Sequence, residues 1–308
     1  MATEIETLNA AFAIGDRARL VAGQGGLPKI QVTTATASAE IYLHGGHITS
    51  WIPSGAQEII FVSEASRWED GRAIRGGIPV CFPWFRAKMD DPAAPAHGFV
   101  RTKSWALESL SAKGDSVHVS LATESDESTR RWWPHDFRLQ LHIQVGAQLA
   151  LELVVSNTGT NSFQFEEALH TYHRVGDVRR ASVAGLNGVS FLDNRDGNRE
   201  KIQDGDVVLV DATDNAYLNT ESLLIINDPV LQRRIQVDKQ NSQTTIVWNP
   251  WESGAKALAD FGDHEWTPML CVEASNIISS AVTLGPGEEH RMAATISVIG
   301  QASENQPH

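Results

Sequence analysis

The segment DFRLQLHIQV, residues 136–145, alternates apolar and polar residues without a break. Phe137, Leu139, Leu141, Ile143 and Val145 fall on one face, and Arg138, Gln140, His142 and Gln144 on the other. A period of two is that of a strand, and a strand with one apolar and one polar face predicts a half-buried antiparallel sheet. Comparable runs recur along the chain, among them KIQVTT, AEIYLH, HVSLAT, LALELVVS, VVLVD, LLIIND, RRIQVD, TTIVWN, MLCVEAS and RMAATISVIG. Turn-forming stretches such as NTGTN, DNRDGN and LGPGEE separate them. Helical patterns are short, as in SDESTRRWW after a Ser125 N-cap. The rhythm predicts an all-β fold, a large sandwich of antiparallel sheets around a shared core. With no shift in composition and no fixed-period repeat, one domain is expected over residues 1–308, its core at about 20–300 and a frayed tail at 301–308.

Several function classes are excluded early. The N-terminus, MATEIETLNAAFAIGD, is acidic where a secretion signal would be basic, and no apolar run reaches the roughly 18 residues of a membrane span. The expectation is a cytoplasmic protein that binds no membrane. The two cysteines, Cys81 and Cys271, form no disulfide framework and no metal-binding spacing, and read as free thiols. A net charge of −13 argues against nucleic-acid binding. Locally the balance reverses. Between Gly71 and Lys103 stand Arg72, Arg75, Arg86, Lys88, Arg101 and Lys103 against only Asp90 and Asp91, which is compatible with a site for a small anion or with a solvated loop.

The stretch FQFEEALHTYHRVGDV, residues 163–178, holds two histidines three apart. On a helix His170 and His173 would share a face and could chelate a metal; on a strand they point to opposite faces. The strand reading places Glu166, Ala168, His170 and Tyr172 together, a small, polar and aromatic set suited to a sugar-sized cleft. His173 becomes a packing or surface histidine. Parity also separates the histidines of HGGH, 44–47, although its glycines permit a bend. No motif of recognised metal-ligand spacing is present, so no metal is expected. In TPMLCVEASNI, Glu273 shares parity with Met269 and Cys271 in an apolar strand. A carboxylate there is either paired with a cation or raised in pKa by desolvation, conditions of salt bridges and of catalytic sites alike.

The segments AIRGGIPVCFPWF (73–85), AHGFVRTKSW (96–105), ALHTYHRVGDV (168–178), VWNP (247–250) and MLCVEASNI (269–277) resemble, in order, those of the D-hexose-6-phosphate mutarotases of the aldose 1-epimerase superfamily. The resemblance spans about Leu20 to Gly300. It implies a galactose-mutarotase-like β-supersandwich that uses no cofactor and no metal, with His170 as general acid and Glu273 as general base. Motif by motif it implies substrate binding by Arg75 of RGG, by His97 and Arg101 of HGFVR, and by Asp214 of DNAY. The chain departs from the family pattern WPWFG in having FPWFR, with Phe82 for tryptophan and Arg86 for glycine, and in a short 86–96 loop. These departures leave the sugar specificity open.

The residue types suit the implied chemistry. Exchanging anomers requires one group to take the proton of the anomeric hydroxyl and another to protonate the ring oxygen, and a carboxylate and an imidazolium suffice. Glu166 or Asp177 could hold the imidazole proton. Arg75 and Arg101, with Arg86 as a third, could bind a phosphate through charge-assisted hydrogen bonds, and Trp84, Phe85 and Phe99 could wall the cleft. The partner expected is a small hexose 6-phosphate and the chain a monomer. An aldose 1-epimerase for unphosphorylated sugars and a non-catalytic sugar-binding sandwich are the alternatives.

Overall fold

A computed structural model describes residues 2–300; the 301–308 tail lies outside the described residues. The alternating segment forms the strand Phe137–Val145, with its apolar positions buried. It pairs antiparallel with Ser116–Glu124 on one side and Leu149–Asn157 on the other. These belong to a nine-stranded sheet that continues through Glu289–Ile299, Arg233–Gln240, Leu224–Asp228, Ser182–Ala184 and Val207–Val208, with Ala106–Lys113 at the opposite edge. Facing it is an eight-stranded sheet in which Thr213–Tyr217, Thr244–Asn249, Met269–Asn276 and Glu167–Leu169 are successive neighbours. A four-stranded meander, Ala18–Ala22, Pro28–Thr33, Ala37–Tyr42 and His47–Pro53, and a two-stranded pair, Phe163–Phe165 with Val282–Leu284, complete the architecture. The all-β expectation holds.

The core follows from the alternation: each strand sends every second side chain inward, and one apolar cluster runs from Ala18 to Ile296. Phe82 lies at an aromatic centre, with ring centroids 5.4 Å from Trp133, 5.0 Å from Phe137 and 5.3 Å from Phe165. Burying such a ring contributes roughly 1.5–3 kcal/mol, with more from the ring contacts. This departure from the family pattern is therefore a matter of packing, because the ring is fully buried among core aromatics.

Two local expectations, at the N-cap and at VVLVD, need correction, and one helix adds to the reading. The N-cap of the short helix Glu127–Arg130 is Asp126, not Ser125; its carboxylate accepts from Thr129 N–H, and the Thr129 hydroxyl accepts from Asp126 N–H. Ser125 instead donates to Asp136. The acidic N-terminus forms a helix, Ala2–Phe12, held to the first strand by Asn9, whose amide bonds both the N–H and the C=O of Leu20. In VVLVD only Val207–Val208 is a strand, and Val210 is 84% exposed.

The 163–173 stretch is three short strands, Phe163–Phe165, Glu167–Leu169 and Tyr172–Arg174, with breaks at Glu166 and at His170–Thr171. At the first break the Glu166 carboxylate accepts from the backbone N–H of Phe85 (2.8 Å) and of Ile278 (2.7 Å). At the second, Thr171 N–H bonds the Leu169 carbonyl while His170 N–H bonds Pro79 O, turning the chain over two residues. The two histidines part company as expected, but across a break and not along one strand: His170 lines a cleft, and His173 is buried beside the Val272 carbonyl.

Candidate active site

The cleft is built on the middle of the eight-stranded sheet. Met269–Asn276 is buried along its whole length, and Glu273, paired in register with Ile246, has no exposed surface. Neither carboxylate oxygen has a hydrogen-bond partner among the described residues. An unpaired buried carboxylate is costly, and proteins hold one where it is used. Burial pushes the Glu273 pKa well above the usual carboxylate range, with nearby Asp214 adding to the shift.

The kink after Leu169 brings His170 Nε2 to 3.3 Å from Glu273 Oε1. The imidazole stacks on Tyr172, centroids 4.8 Å apart and 17° between planes, and meets His97 and Trp248 edge-on. Burial, then the charge of Arg101, lowers the His170 pKa to about 3. Burial thus works against the charged form of both members of the pair. An ionised Glu273 and a protonated His170, the forms the implied chemistry uses, are each disfavoured by this desolvation. Glu166 cannot steady the imidazole, since its oxygens are held by backbone amides, and Asp177 is bound by Arg179.

Around this pair the cleft, of about 390 Å³, is lined by Arg75, Arg86, Arg101, His97 and Asp214 together with Phe85, Tyr172, Asn194 and Trp248. All six site residues named from the sequence therefore meet in one cavity. His97 accepts from Arg86 N–H at Nδ1 (3.2 Å), so the neutral ring carries its proton on Nε2 and offers a donor. Burial, then Arg101, holds its pKa well below the ordinary histidine value. Asp214 accepts from Arg86 Nη2 at one oxygen and from Asn194 Nδ2 at the other, each at 2.6 Å. Arg101 gives one N–H to Ala96 O, while its buried Nε has no partner.

Arg75 stands on a turn whose support was invisible in the sequence. Its Nε donates to Asp260 (3.1 Å) and its Nη1 to the Tyr172 hydroxyl (3.3 Å). Burial works against its charge, but Tyr172 and Asp260 outweigh it and raise the pKa. The HGGH histidines hold this turn in place: His44 Nε2 donates to Arg72 O (2.6 Å) and His47 Nε2 to Gly76 O (2.8 Å). Gly77 has φ +71°, and a Cβ there would lie 2.2 Å from His47 Nε2, so the close approach requires glycine. Of the three proposed walls, Phe85 faces the cleft, whereas Trp84 and Phe99 pack on each other 5.5 Å apart outside it.

The profile of the aldose 1-epimerase family matches residues 28–297. The chain belongs to the aldose 1-epimerase family. Membership makes it an isomerase of the epimerase type. It is 36% identical over 254 residues to a candidate glucose-6-phosphate 1-epimerase of Escherichia coli K12, covering 81% of this chain and 83% of that one. A candidate mutarotase of Salmonella typhimurium superposes with a TM-score of 0.88 at 30% identity, covering 97% and 100% of the two chains. A galactose mutarotase related enzyme of Lactobacillus acidophilus shares the fold, with a TM-score of 0.71 at 13% identity over 91% and 100%. The galactose-mutarotase-like sandwich is thus the fold of this epimerase-family chain.

One feature of the epimerase cleft went unseen in the sequence. A ring nitrogen of His170, Cys271 Sγ and a Glu273 oxygen lie within 4.8 Å of one another, a metal-compatible trio drawn from the strand Met269–Asn276 and the break at His170–Thr171 beside it. No spacing within one segment could have signalled it.

Proposed function

We propose that this epimerase-family protein interconverts the α and β anomers of a hexose 6-phosphate, with His170 as general acid and Glu273 as general base. The observation that carries the reading is the His170–Glu273 pair, 3.3 Å apart at the base of a cleft edged by three arginines. In the reaction Glu273 takes the proton from the anomeric hydroxyl as its C–O bond becomes the aldehyde carbonyl. His170 gives a proton to the ring oxygen as the C1–O5 bond breaks. After rotation about C1–C2 the ring oxygen attacks the other carbonyl face, and both protons return. The reading keeps His97 Nε2–H as a donor to a sugar oxygen.

The phosphate would sit on Arg75 and Arg101. Both belong to the charges that depress His170, whereas the cation acting on Glu273 is Arg86. A phosphate carrying roughly −1.5 to −2 charges therefore offsets the field at His170 in particular and favours the proton there. Substrate charge and general acid are coupled in this way. The E. coli relative bears the name of a glucose-6-phosphate 1-epimerase, which supports the same substrate class.

The test is Arg101→Ala. Losing a charged hydrogen-bond partner of phosphate should cost about 1.5–3 kcal/mol, or ten- to a hundredfold in kcat/KM, for a hexose 6-phosphate, with a much smaller loss for the free hexose. Equal losses for both sugars would reject the phosphate role.

A further inference from the structure

We infer that His170, Cys271 and Glu273 form a binding site for a thiophilic divalent cation of the zinc type, and that filling it shuts off turnover. The inference rests on the acid–base reading above only for its effect on turnover.

The donors are one nitrogen, one sulfur and one oxygen, all within 4.8 Å of one another, the His170–Glu273 distance being 3.3 Å. Zinc bonds such ligands at about 2.0–2.3 Å, which puts tetrahedral neighbours about 3.5 Å apart. The trio therefore closes on an ion with side-chain shifts of about an ångström. The donors are also free. Both Glu273 oxygens are buried without a hydrogen-bond partner, His170 Nε2 faces only Glu273 within the trio, and Cys271 has only the Met269 thioether, 3.8 Å away, against its sulfur. His170 and Glu273 line the cleft, which supplies an entry path and an open fourth position.

Charge does not forbid a dication. Arg75 is paired with Asp260 at 3.1 Å and Arg86 with Asp214 at 2.6 Å, which leaves Arg101 as the uncompensated guanidinium of the lining. Against it stand the Glu273 carboxylate and the Cys271 thiolate that form as metal–oxygen and metal–sulfur bonds replace O–H and S–H and both protons pass to solvent. Sulfur in the donor set selects zinc and cadmium over magnesium and calcium, which prefer oxygen. Occupancy engages both proton-transfer groups, so a bound ion and a reacting sugar exclude each other.

The experiment titrates the wild-type protein with Cd²⁺, following the ultraviolet cadmium–thiolate charge-transfer band, and measures anomer exchange of a hexose 6-phosphate in Zn²⁺, Cd²⁺ or Mg²⁺. We expect a stoichiometric band and parallel loss of turnover with Zn²⁺ and Cd²⁺, none with Mg²⁺, and protection by the sugar phosphate. Cys271→Ala should retain exchange, lose the band and weaken inhibition on the order of a hundredfold, since even an outer-shell loss costs ten- to a hundredfold. Should that variant fail to fold, Cys271→Val keeps the buried volume, and Cys81→Ala, whose thiol is near but outside the trio, should keep the band. Absence of the band in wild type, its persistence in the Cys271 variants, or full turnover with the site occupied overturns the inference. If the metal-free protein exchanges no anomers, the functional proposal fails while the band still reports the site.

Discussion

At the residue scale, two histidines three positions apart have been given opposite tasks by one kink. His170 reaches Glu273 in the cleft, and His173 lies fully buried beside the Val272 carbonyl. The proposal predicts that His170→Asn and Glu273→Gln each lower kcat by about 10²–10⁴-fold in a coupled exchange assay. The double variant should lose little more than either single one, because both groups serve the same ring-opening step. His173→Asn should keep kcat near wild type while lowering stability by about 1–3 kcal/mol in denaturant titration, the cost of disturbing a packed interior. Of the two readings the sequence leaves for His173, packing or surface, its complete burial selects packing. The pair itself was legible because strand parity and an isolated carboxylate in an apolar strand both mark positions. Its protonation was not, since desolvation depends on how the sheets close over it.

Individual elements show what alternation can and cannot transmit. Phe137–Val145 was readable because its side chains alternate every second residue, and Met269–Asn276 because it is a short, mostly apolar run. The Ala2–Phe12 helix was not, its apolar residues Ile5, Leu8 and Phe12 being too few to announce a buried stripe. The support of the RGG turn by His44 and His47 was likewise hidden, because it joins residues about thirty positions apart through carbonyls that carry no sequence signature. That support predicts that His47→Ala raises KM for a hexose 6-phosphate severalfold more than it lowers kcat, by loosening Arg75 rather than the acid–base pair. Equal effects on both would place His47 in the chemistry. The strand Arg233–Gln240 supplies another test. Lys239 is buried and donates to the carbonyls of Thr220, Ser242 and Thr244, and burial lowers its pKa to about 7. Lys239→Met should destabilise the fold by about 2–4 kcal/mol at neutral pH, leaving three carbonyls without their donor. Between pH 7 and the ordinary lysine value of 10.5 the unfolded chain binds the extra proton, so wild-type stability should rise with pH relative to that variant. A flat difference across that window would mean that the three carbonyls keep the ammonium charged.

For the whole molecule, the fold class was readable because ten or so alternating runs can satisfy their apolar faces only by closing sheets on a common core. The cleft was readable in its residue types and unreadable in its wiring: Arg86 bonds Asp214 across 128 positions and Arg75 bonds Asp260 across 185. Such contacts arise when sheets of the sandwich bring distant loops to one rim, and they explain how a chain of net charge −13 maintains an arginine-lined cleft. The measurement that bears most directly on the central claim is proton exchange spectroscopy at the anomeric position of equilibrated glucose 6-phosphate and of glucose, each with wild-type enzyme and in buffer alone. Exchange cross-peaks that grow well above the water rate, and faster for the phosphate by at least about tenfold as one charged contact requires, are the predicted result. Exchange of glucose 6-phosphate no faster than in buffer, or faster exchange of the free sugar, would contradict it.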